Sequence, residues 1–265
     1  MGYKRILCIG DAHADPTQGD MRRFSVLSNF IASERPEVVV QMGDWCNYDS
    51  VSFHNHGRPL LRENLRLADD IAAAKTAYAL TMSGLKEYNE RAKLLKSKRY
   101  SPTLVWLQAN HEVRVRNYII TQPLLEGLVD TDDLVGVKPD GWELVPYHKR
   151  YSAGGVSFTH VPINRHDARP VSGKYVGHKA FDLYQGSVVF GHTHRLSVTT
   201  NRRVGDKQLT YSVNVGWYGD YVPNYITNPE NLDWWAGLVI LYCSDEGIEE
   251  VRTLSMDYLN ENYGV

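Results

Sequence analysis

Two histidines one residue apart follow an apolar run: residues 187–190 lead through Gly191 to His192-Thr193-His194. Side chains two positions apart on an extended segment point to the same side, so both imidazoles can face one place. Alone, the pattern also describes a surface loop with two unrelated histidines. Four further apolar runs end in side chains of the same kind. Residues 6–10 lead to Asp11-Ala12-His13, residues 38–43 to Asp44, residues 104–109 to Asn110-His111-Glu112, and residues 156–159 to His160. Carboxylate, amide and imidazole are ligands for divalent transition metals. The carboxyl ends of strands are where sites form in α/β sheets. The chemistry these ends suit is the binding of divalent metal ions.

The elements that must position these residues can be read in order. Residues 3–10 form a buried strand. Asp20 caps a helix running to Ser33, with Phe24, Leu27, Phe30 and Ile31 on one face, and Pro36 closes it. Residues 37–42 form the next strand, completing a right-handed βαβ unit that sets Asp11 beside Asp44. After a loop holding His54 and His56, residues 61–98 carry a helical pattern, as one long helix or as two broken near Ser83-Gly84. Its last part holds Arg91, Lys93, Lys96, Lys98 and Arg99 and no acid, which reads either as a solvated face or as a phosphate-binding track.

Residues 103–108 are a strand and residues 112–128 a helix, followed by a loop-rich stretch over 130–146. Residues 154–159 and 187–190 belong to a second sheet. Residues 162–179 between them are polar and flexible in composition, with Arg165, His166, Arg169, Lys174 and His178. Two antiparallel hairpins follow, 197–200 with 208–215 around Gly205-Asp206, and 236–243 with 248–254. No internal repeat is present. The simplest organisation is a single domain over residues 1–265, with residues 58–100 as a helical insertion.

Composition narrows the class. Hydrophobic residues make up 43% of the 265 and charged residues 23%, as in an ordinary globular protein. A formal net charge of −2 gives no global field toward nucleic acid. The three cysteines, Cys8, Cys46 and Cys243, are far apart and read as reduced thiols. Cys46 lies close enough to Asp44 to be a soft ligand, but a small buried side chain is the simpler account. The first residues lack the apolar core of a signal peptide, and the longest apolar run, 234–243, is too short to span a bilayer. A cytoplasmic protein is expected.

Taken together, Asp11-x-His13, Gly43-Asp44, Asn110-His111-Glu112, His160 and Gly191-His192-x-His194 resemble, in this order, the calcineurin-like metallophosphoesterase superfamily. The resemblance covers residues 6 to about 216. It implies an α/β fold, a two-sheet β-sandwich flanked by helices in four layers, and a metal-dependent phosphoric ester hydrolase holding two divalent metal ions. It implies that Asp11, His13 and His194 hold one metal, that Asn110, His160 and His192 hold the other, and that Asp44 bridges both. A hydroxide shared between the metals is the implied nucleophile. His111 is implied to face the substrate and protonate the leaving oxygen or stabilise the phosphate. The ligand set suits manganese, with iron, zinc and nickel as alternatives. Glu112 reads as the start of a helix, where its charge favours the positive end.

Three departures stand out. Ala109 replaces a frequent glycine. Asn47 stands where many members have the aspartate that orients the catalytic histidine; its amide can orient His111 but cannot stabilise an imidazolium by charge. Tyr48 stands where phosphoprotein phosphatases have arginine, which argues against that subfamily. The expected substrate is a phosphodiester, as in a phosphodiesterase or nuclease. Arg114, Arg165, Arg169, Lys174 and the basic end of the insertion would line a polyanion, and Trp45, Tyr48, Trp217 and Tyr218 could stack bases. Alternatives are a phosphomonoesterase or small-nucleotide hydrolase, and a metal-stabilised binding scaffold. No membrane partner is expected.

Overall fold

The apolar runs before Asp11, Asp44 and Asn110 are nearly continuous, as strands buried on both sides must be. In the structure, a computed structural model, they are neighbours. Residues 4–18, 20–53, 63–202, 204–205, 208–223, 226, 228 and 232–264 are described below. Strands β1 (Lys4–Ile9), β2 (Val38–Gln41), β3 (Thr103–Leu107) and β4 (Glu143–Val145) run parallel in that order. A second sheet holds β5 (Tyr151–Ala153), β6 (Val156–Phe158), β7 (Ser187–Phe190), β8 (Leu196–Asn201) and β9 (Thr210–Val215) in the order β5-β6-β7-β9-β8, with β6, β7 and β9 parallel. The antiparallel pair β10 (Gly237–Ser244) and β11 (Gly247–Ser255) extends the first sheet beyond β1, giving six strands in the order β11-β10-β1-β2-β3-β4.

The period-two alternation of strand side chains builds the layers. Leu7, Ile9, Val39, Leu104 and Trp106 point to one face, where they pack against α1 (Arg22–Glu34), α2 (Leu67–Leu94) and α5 (Met256–Tyr263). Ile6, Cys8, Val38, Val40 and Val105 point to the other, where they meet Val156, Phe158, Val189 and Val213 of the second sheet. Val188 and Phe190 leave that sheet on its outer side toward Val176 and Ala180 of α4 (Val176–Tyr184). The result is helix, sheet, sheet, helix: the four-layer architecture of metallophosphoesterases.

Several elements differ from expectation. The helical pattern over 61–98 is one helix, α2, of 28 residues, and residues 58–62 lie outside the described part, as do His54 and His56. Gly84 does not break it. A Cβ there would stand 2.8 Å from Ser28 Oγ and 2.9 Å from the Ser28 carbonyl, so the glycine lets α2 cross closely over α1. Asp20 does not cap α1; its carboxylate accepts from Arg22 N, and the helix starts at Arg22 without a side-chain cap. The helix after Asn110, α3 (Glu112–Thr121), is shorter than expected and gives way to a 3-10 turn at Pro123–Leu125. Strand β4 and the start of helix α4 arise where the sequence reads as connection, and β5 and α5 where it gives no reading. Of the hairpin turn at Gly205-Asp206, Asp206 lies outside the described residues.

The two ends of α2 lie at opposite edges of the first sheet. Near its start, Ser50 Oγ donates to Asp70 Oδ2 at 2.5 Å and Trp45 Nε1 to the Ala74 carbonyl at 3.0 Å. Near its end, Asn89 and Tyr100 exchange two hydrogen bonds of 2.8 Å, and the Tyr100 hydroxyl donates to the carbonyl of Pro36, just before β2 begins. At the rise of an α-helix, Asp70 and Arg91 are about 30 Å apart. Arg91, Lys93, Lys96, Lys98 and Arg99 are exposed at this far edge.

Candidate metal centre

Every ligand-type residue follows the carboxyl end of a parallel strand: Asp11 and His13 after β1, Asp44 after β2, Asn110 and His111 after β3, His160 after β6, His192 and His194 after β7. The two sheets bring these ends together because their first residues past the strands are cross-bonded. Tyr218 N of the second sheet donates to the Asp11 carbonyl of the first at 2.8 Å, while within the second sheet Gly191 N donates to the His160 carbonyl at 2.9 Å. His192 N donates to Asp11 Oδ1 at 3.1 Å.

Close approach requires two glycines. A Cβ on Gly43, whose φ is +101°, would lie 2.8 Å from His160 Nδ1. On Gly191 it would collide with the Asp11 carboxylate. Gly191 therefore serves proximity and not a turn.

The ligand atoms form adjoining groups. Asp11, His13 and His194 form one; Asp44, His160 and His192 form another; His13, Asp44 and His111 form a third between them. His13 Nε2 lies 3.0 Å from His194 Nε2, and His194 Nε2 lies 3.1 Å from Asp11 Oδ2. Asp11 Oδ2 is buried and has no aligned hydrogen bond despite that contact. In the other group, Asn110 Oδ1 lies 2.9 Å from His160 Nε2 and 3.1 Å from His192 Nδ1, with the two nitrogens 3.2 Å apart. Lone pairs that converge so closely on each other, with a carboxylate oxygen left unaligned, fit cations between them. The site is a binuclear metal-binding site with Asp44 at its centre. Asp44 Oδ2 stands 3.4 Å from His160 Nε2 and 3.7 Å from His111 Nε2, and Oδ1 accepts from His111 N at 3.0 Å.

His192 and His194 do not share one target, as an extended segment would have them do. His194 falls in the first group and His192 in the second. Both are left-handed, with φ of +71° and +58°, as are His13 at +46° and Asp44 at +52°. Such backbone is costly for non-glycine residues and clusters at functional sites.

Hydrogen bonds fix the rings. His160 Nδ1 lies 2.9 Å from the Met42 carbonyl, so its Nε2 faces the site. Asn47 holds two rings by different atoms. Its Oδ1 lies 2.7 Å from His13 Nδ1, while its amide nitrogen donates to Asp15 Oδ2 at 2.6 Å. His111 is oriented by the Asn47 backbone carbonyl, 2.9 Å from Nδ1, and not by the amide that the sequence suggests. Arg114 donates to that same carbonyl at 2.7 Å and to Asp49 at 3.0 Å, and places Nη2 2.9 Å from His111 Nε2. A guanidinium only donates, so Nε2 accepts and carries no proton here.

Glu112 does more than start a helix. It is a buried clamp, accepting from Asp44 N at 3.1 Å, Trp45 N at 2.8 Å and Ala109 N at 3.0 Å. The Asn-His-Glu order places it there, one helical step past His111.

Charge follows this packing. Burial opposes the ionised form of Asp44, yet His111 and His160 outweigh it and hold its carboxyl well below the usual carboxylate range. Burial likewise pushes His160 down, but the charge and contact of Asp44, aided by Asp11, bring the imidazole up to about 9. Burial dominates at His111 and, with His13 and Arg114, holds it well below the ordinary histidine range despite Asp44. Burial and the charge of Asp44 raise Glu112 to about 7. Cys46 donates to the Asp70 carbonyl and burial pushes its thiol up, so it stays a protonated, packed side chain.

Aromatic rings close the His194 side. Trp217 stacks with His194 at 5.7 Å, Trp234 meets it edge-on at 4.2 Å, and the Tyr221 hydroxyl donates to the His13 carbonyl. Trp45, Tyr48 and Tyr218 are fully buried and belong to the core. The cations expected to form a substrate track do not all gather here. Arg165 donates to the Leu183 carbonyl, Lys174 lies over the Tyr175 ring at 5.9 Å, and Arg169 borders a cavity of about 450 Å³ with Lys179 and Asp182 on the α4 flank. Of those cations, Arg114 contacts a ligand-group residue.

The sequence matches no family model and no curated protein. Among solved structures, the chain is similar to Vps29 complexed with Zn²⁺ from Entamoeba histolytica, at 13% identity over 94% of this chain and 96% of that one, with a TM-score of 0.45. It is also similar to Yfce, a phosphoesterase from E. coli, at 14% identity over 94% and 98%, TM-score 0.39. A metallophosphoesterase from Sphaerobacter thermophilus gives 13% identity over 100% and 95%, TM-score 0.43. At this distance the likeness concerns the outline of the fold, and the site stands on its own geometry. Fold and site together define a metallophosphoesterase-type fold with a binuclear metal centre. Among the described residues no helix is long and apolar enough to cross a membrane.

Proposed function

We propose that this protein is a binuclear metal-dependent phosphoesterase that hydrolyses phosphodiester bonds. The observation that carries the reading is Asp44: one buried carboxylate lies between the two imidazole groups, with His111 and Arg114 at its open edge. Two divalent cations, manganese being the first to try, would supply a water of lowered pKa and neutralise charge on the phosphate. Asp11, His13 and His194 would hold one cation and Asn110, His160 and His192 the other, with Asp44 shared. The protein's own part is to hold those groups rigidly and to present donors to the phosphate. Arg114 is the charged donor at that edge, and His111 steers it. Arg165, Arg169 and Lys174 would then contact only the more distant parts of a long substrate.

The test is a panel with manganese: a chromogenic diester, a chromogenic monoester, cyclic nucleotides, and single- and double-stranded nucleic acid. Turnover of the diester above the monoester is expected. Preference for the monoester would move the phosphomonoesterase reading ahead, and inactivity on all of them would sink the proposal. His111→Ala should keep both metals and lose about 10²–10³ in kcat/KM. The loss should be equal for nitrophenyl and alkyl leaving groups, because Nε2 has no proton to give. A greater loss on the alkyl ester would restore His111 as the proton donor.

A further inference from the structure

Strand β4 is parallel to β3, with Val145 opposite Leu107, so its carboxyl end opens at the edge where β3 delivers Asn110. It is the fourth strand end at that edge of the first sheet, and no motif in the sequence marks it. Pro146, Tyr147 and His148 follow it, in a turn closed by Lys149 N donating to the Pro146 carbonyl at 2.9 Å. His148 has a φ of +66°, a left-handed conformation of the kind the ligand residues share. Its ring lies 3.8 Å from that of Tyr147, and the Tyr147 ring lies 6.4 Å from His160. Both side chains feel the charges of the ligand cluster. Burial and the charge of Asp44 push the Tyr147 phenol up to about 12, and partial burial with His160 pushes His148 down.

Neither ring belongs to the groups of ligand atoms, and neither is part of the apolar clusters of the core. Tyr147 is half-buried and His148 exposed. A strained pair of closely set rings, tilted 41° to one another, is thus held at the rim of the His160 and Asn110 group without serving packing or ligation.

We propose that Tyr147 and His148 read the organic side of the substrate, with a planar aromatic group of the esterified alcohol, a nucleobase or an aryl ring, stacking on the exposed imidazole. Tyr147 holds that imidazole in place from beneath. Stacking fits the pair because it needs only a flat face and one exposed ring. The proposal rests on the phosphoesterase reading, and its test separates the two.

The experiment measures calorimetric Kd values on the manganese-loaded full chain for inorganic phosphate, butylphosphonate, phenylphosphonate and thymidine 5′-phosphate. Wild type should bind the aromatic compounds more tightly than butylphosphonate, by about fivefold to a hundredfold. His148→Ala and Tyr147→Ala should erase that difference while leaving the Kd for inorganic phosphate in place. His148→Phe, which keeps a flat face, should retain it. Preference for phenylphosphonate alone would name an aryl ester, and preference for thymidine 5′-phosphate alone a nucleotide. Equal wild-type affinity for butyl- and phenylphosphonate, or a preference that survives His148→Ala, overturns the inference and leaves the phosphoesterase reading standing. Failure of wild type to bind inorganic phosphate, with no ester hydrolysed, overturns both.

Discussion

At its amino end α2 holds the loop that follows Asp44, through Asp70 to Ser50 and through the Ala74 carbonyl to Trp45. At its carboxyl end, about 30 Å away, the same helix is tied to Tyr100 through Asn89 and presents exposed cations and two exposed leucines, Leu94 and Leu95. Along the sequence the cationic end is the closer of the two to the strand leading to Asn110. The parallel topology reverses this. A segment that precedes a parallel strand sits at its amino end, and the ligand-bearing end is a full strand away. Proximity in sequence to a motif therefore says which edge of the sheet a segment occupies only once strand direction is included.

The contrast between the two ends can be broken at several points. The largest effect is expected at the centre itself: Asp44→Asn should abolish ester hydrolysis and lower bound metal, read by elemental analysis after desalting. Two full metal equivalents with wild-type turnover would remove Asp44 from its shared position.

At the near end of α2, Asp70→Ala removes the two hydrogen bonds that Ser50 N and Oγ make to its carboxylate. Destabilisation of about 1–3 kcal/mol is expected by urea unfolding, the range for losing buried hydrogen bonds to a carboxylate. Slower turnover should accompany it, because the loosened loop carries Asn47, which holds His13 and His111. A variant as stable and active as wild type would show that this end of the helix does not support the site.

The metal centre's electrostatics give a smaller, pH-dependent effect. His160 is raised from 6.5 to about 9, so without metal it is protonated at pH 7.5. It must lose that proton to become a ligand. Metal binding at pH 7.5 should thus release protons, seen as a dependence of calorimetric enthalpy on the buffer, and affinity should rise with pH up to about 9. The sign for folding is the opposite. In the metal-free protein the stabilisation from His160 is complete below pH 6.5 and is lost as pH rises through about 9. Metal binding with no buffer dependence would place the imidazole neutral from the start.

The smallest effect belongs to the far end. Replacing Lys93, Lys96, Lys98 and Arg99 together by alanine should change metal content, diester hydrolysis and the salt slope of any nucleic-acid binding by less than the error of each measurement. A salt slope that flattens, by roughly one unit for each phosphate no longer neutralised, would show that a long polyanion does reach this edge.

The sequence by itself determined the sheet and the identities of the groups at its centre. Strands buried on both faces must be continuously apolar, so Ile6-Leu7-Cys8-Ile9 and Val38-Val39-Val40 stand out, and carboxylate, amide and imidazole side chains at their ends are too polar to belong to the core they follow. The three-residue strands β4 and β5 and the short helices α4 and α5 are not legible, because few of their residues are buried and no period has room to develop. Only the tertiary structure decided by what means the ligands divide. The resemblance implies the division, but its physical means lies in the fold: left-handed backbone at His192 and His194 turns two neighbouring imidazoles toward different groups, where an extended segment would point both one way. It also decided which atoms of Asn47 do the orienting, that Glu112 clamps the Asp44 loop, and that Tyr147 and His148 stand at the rim. Each of these depends on contacts between segments far apart in the chain, whose distance and direction are set by the packing of two sheets.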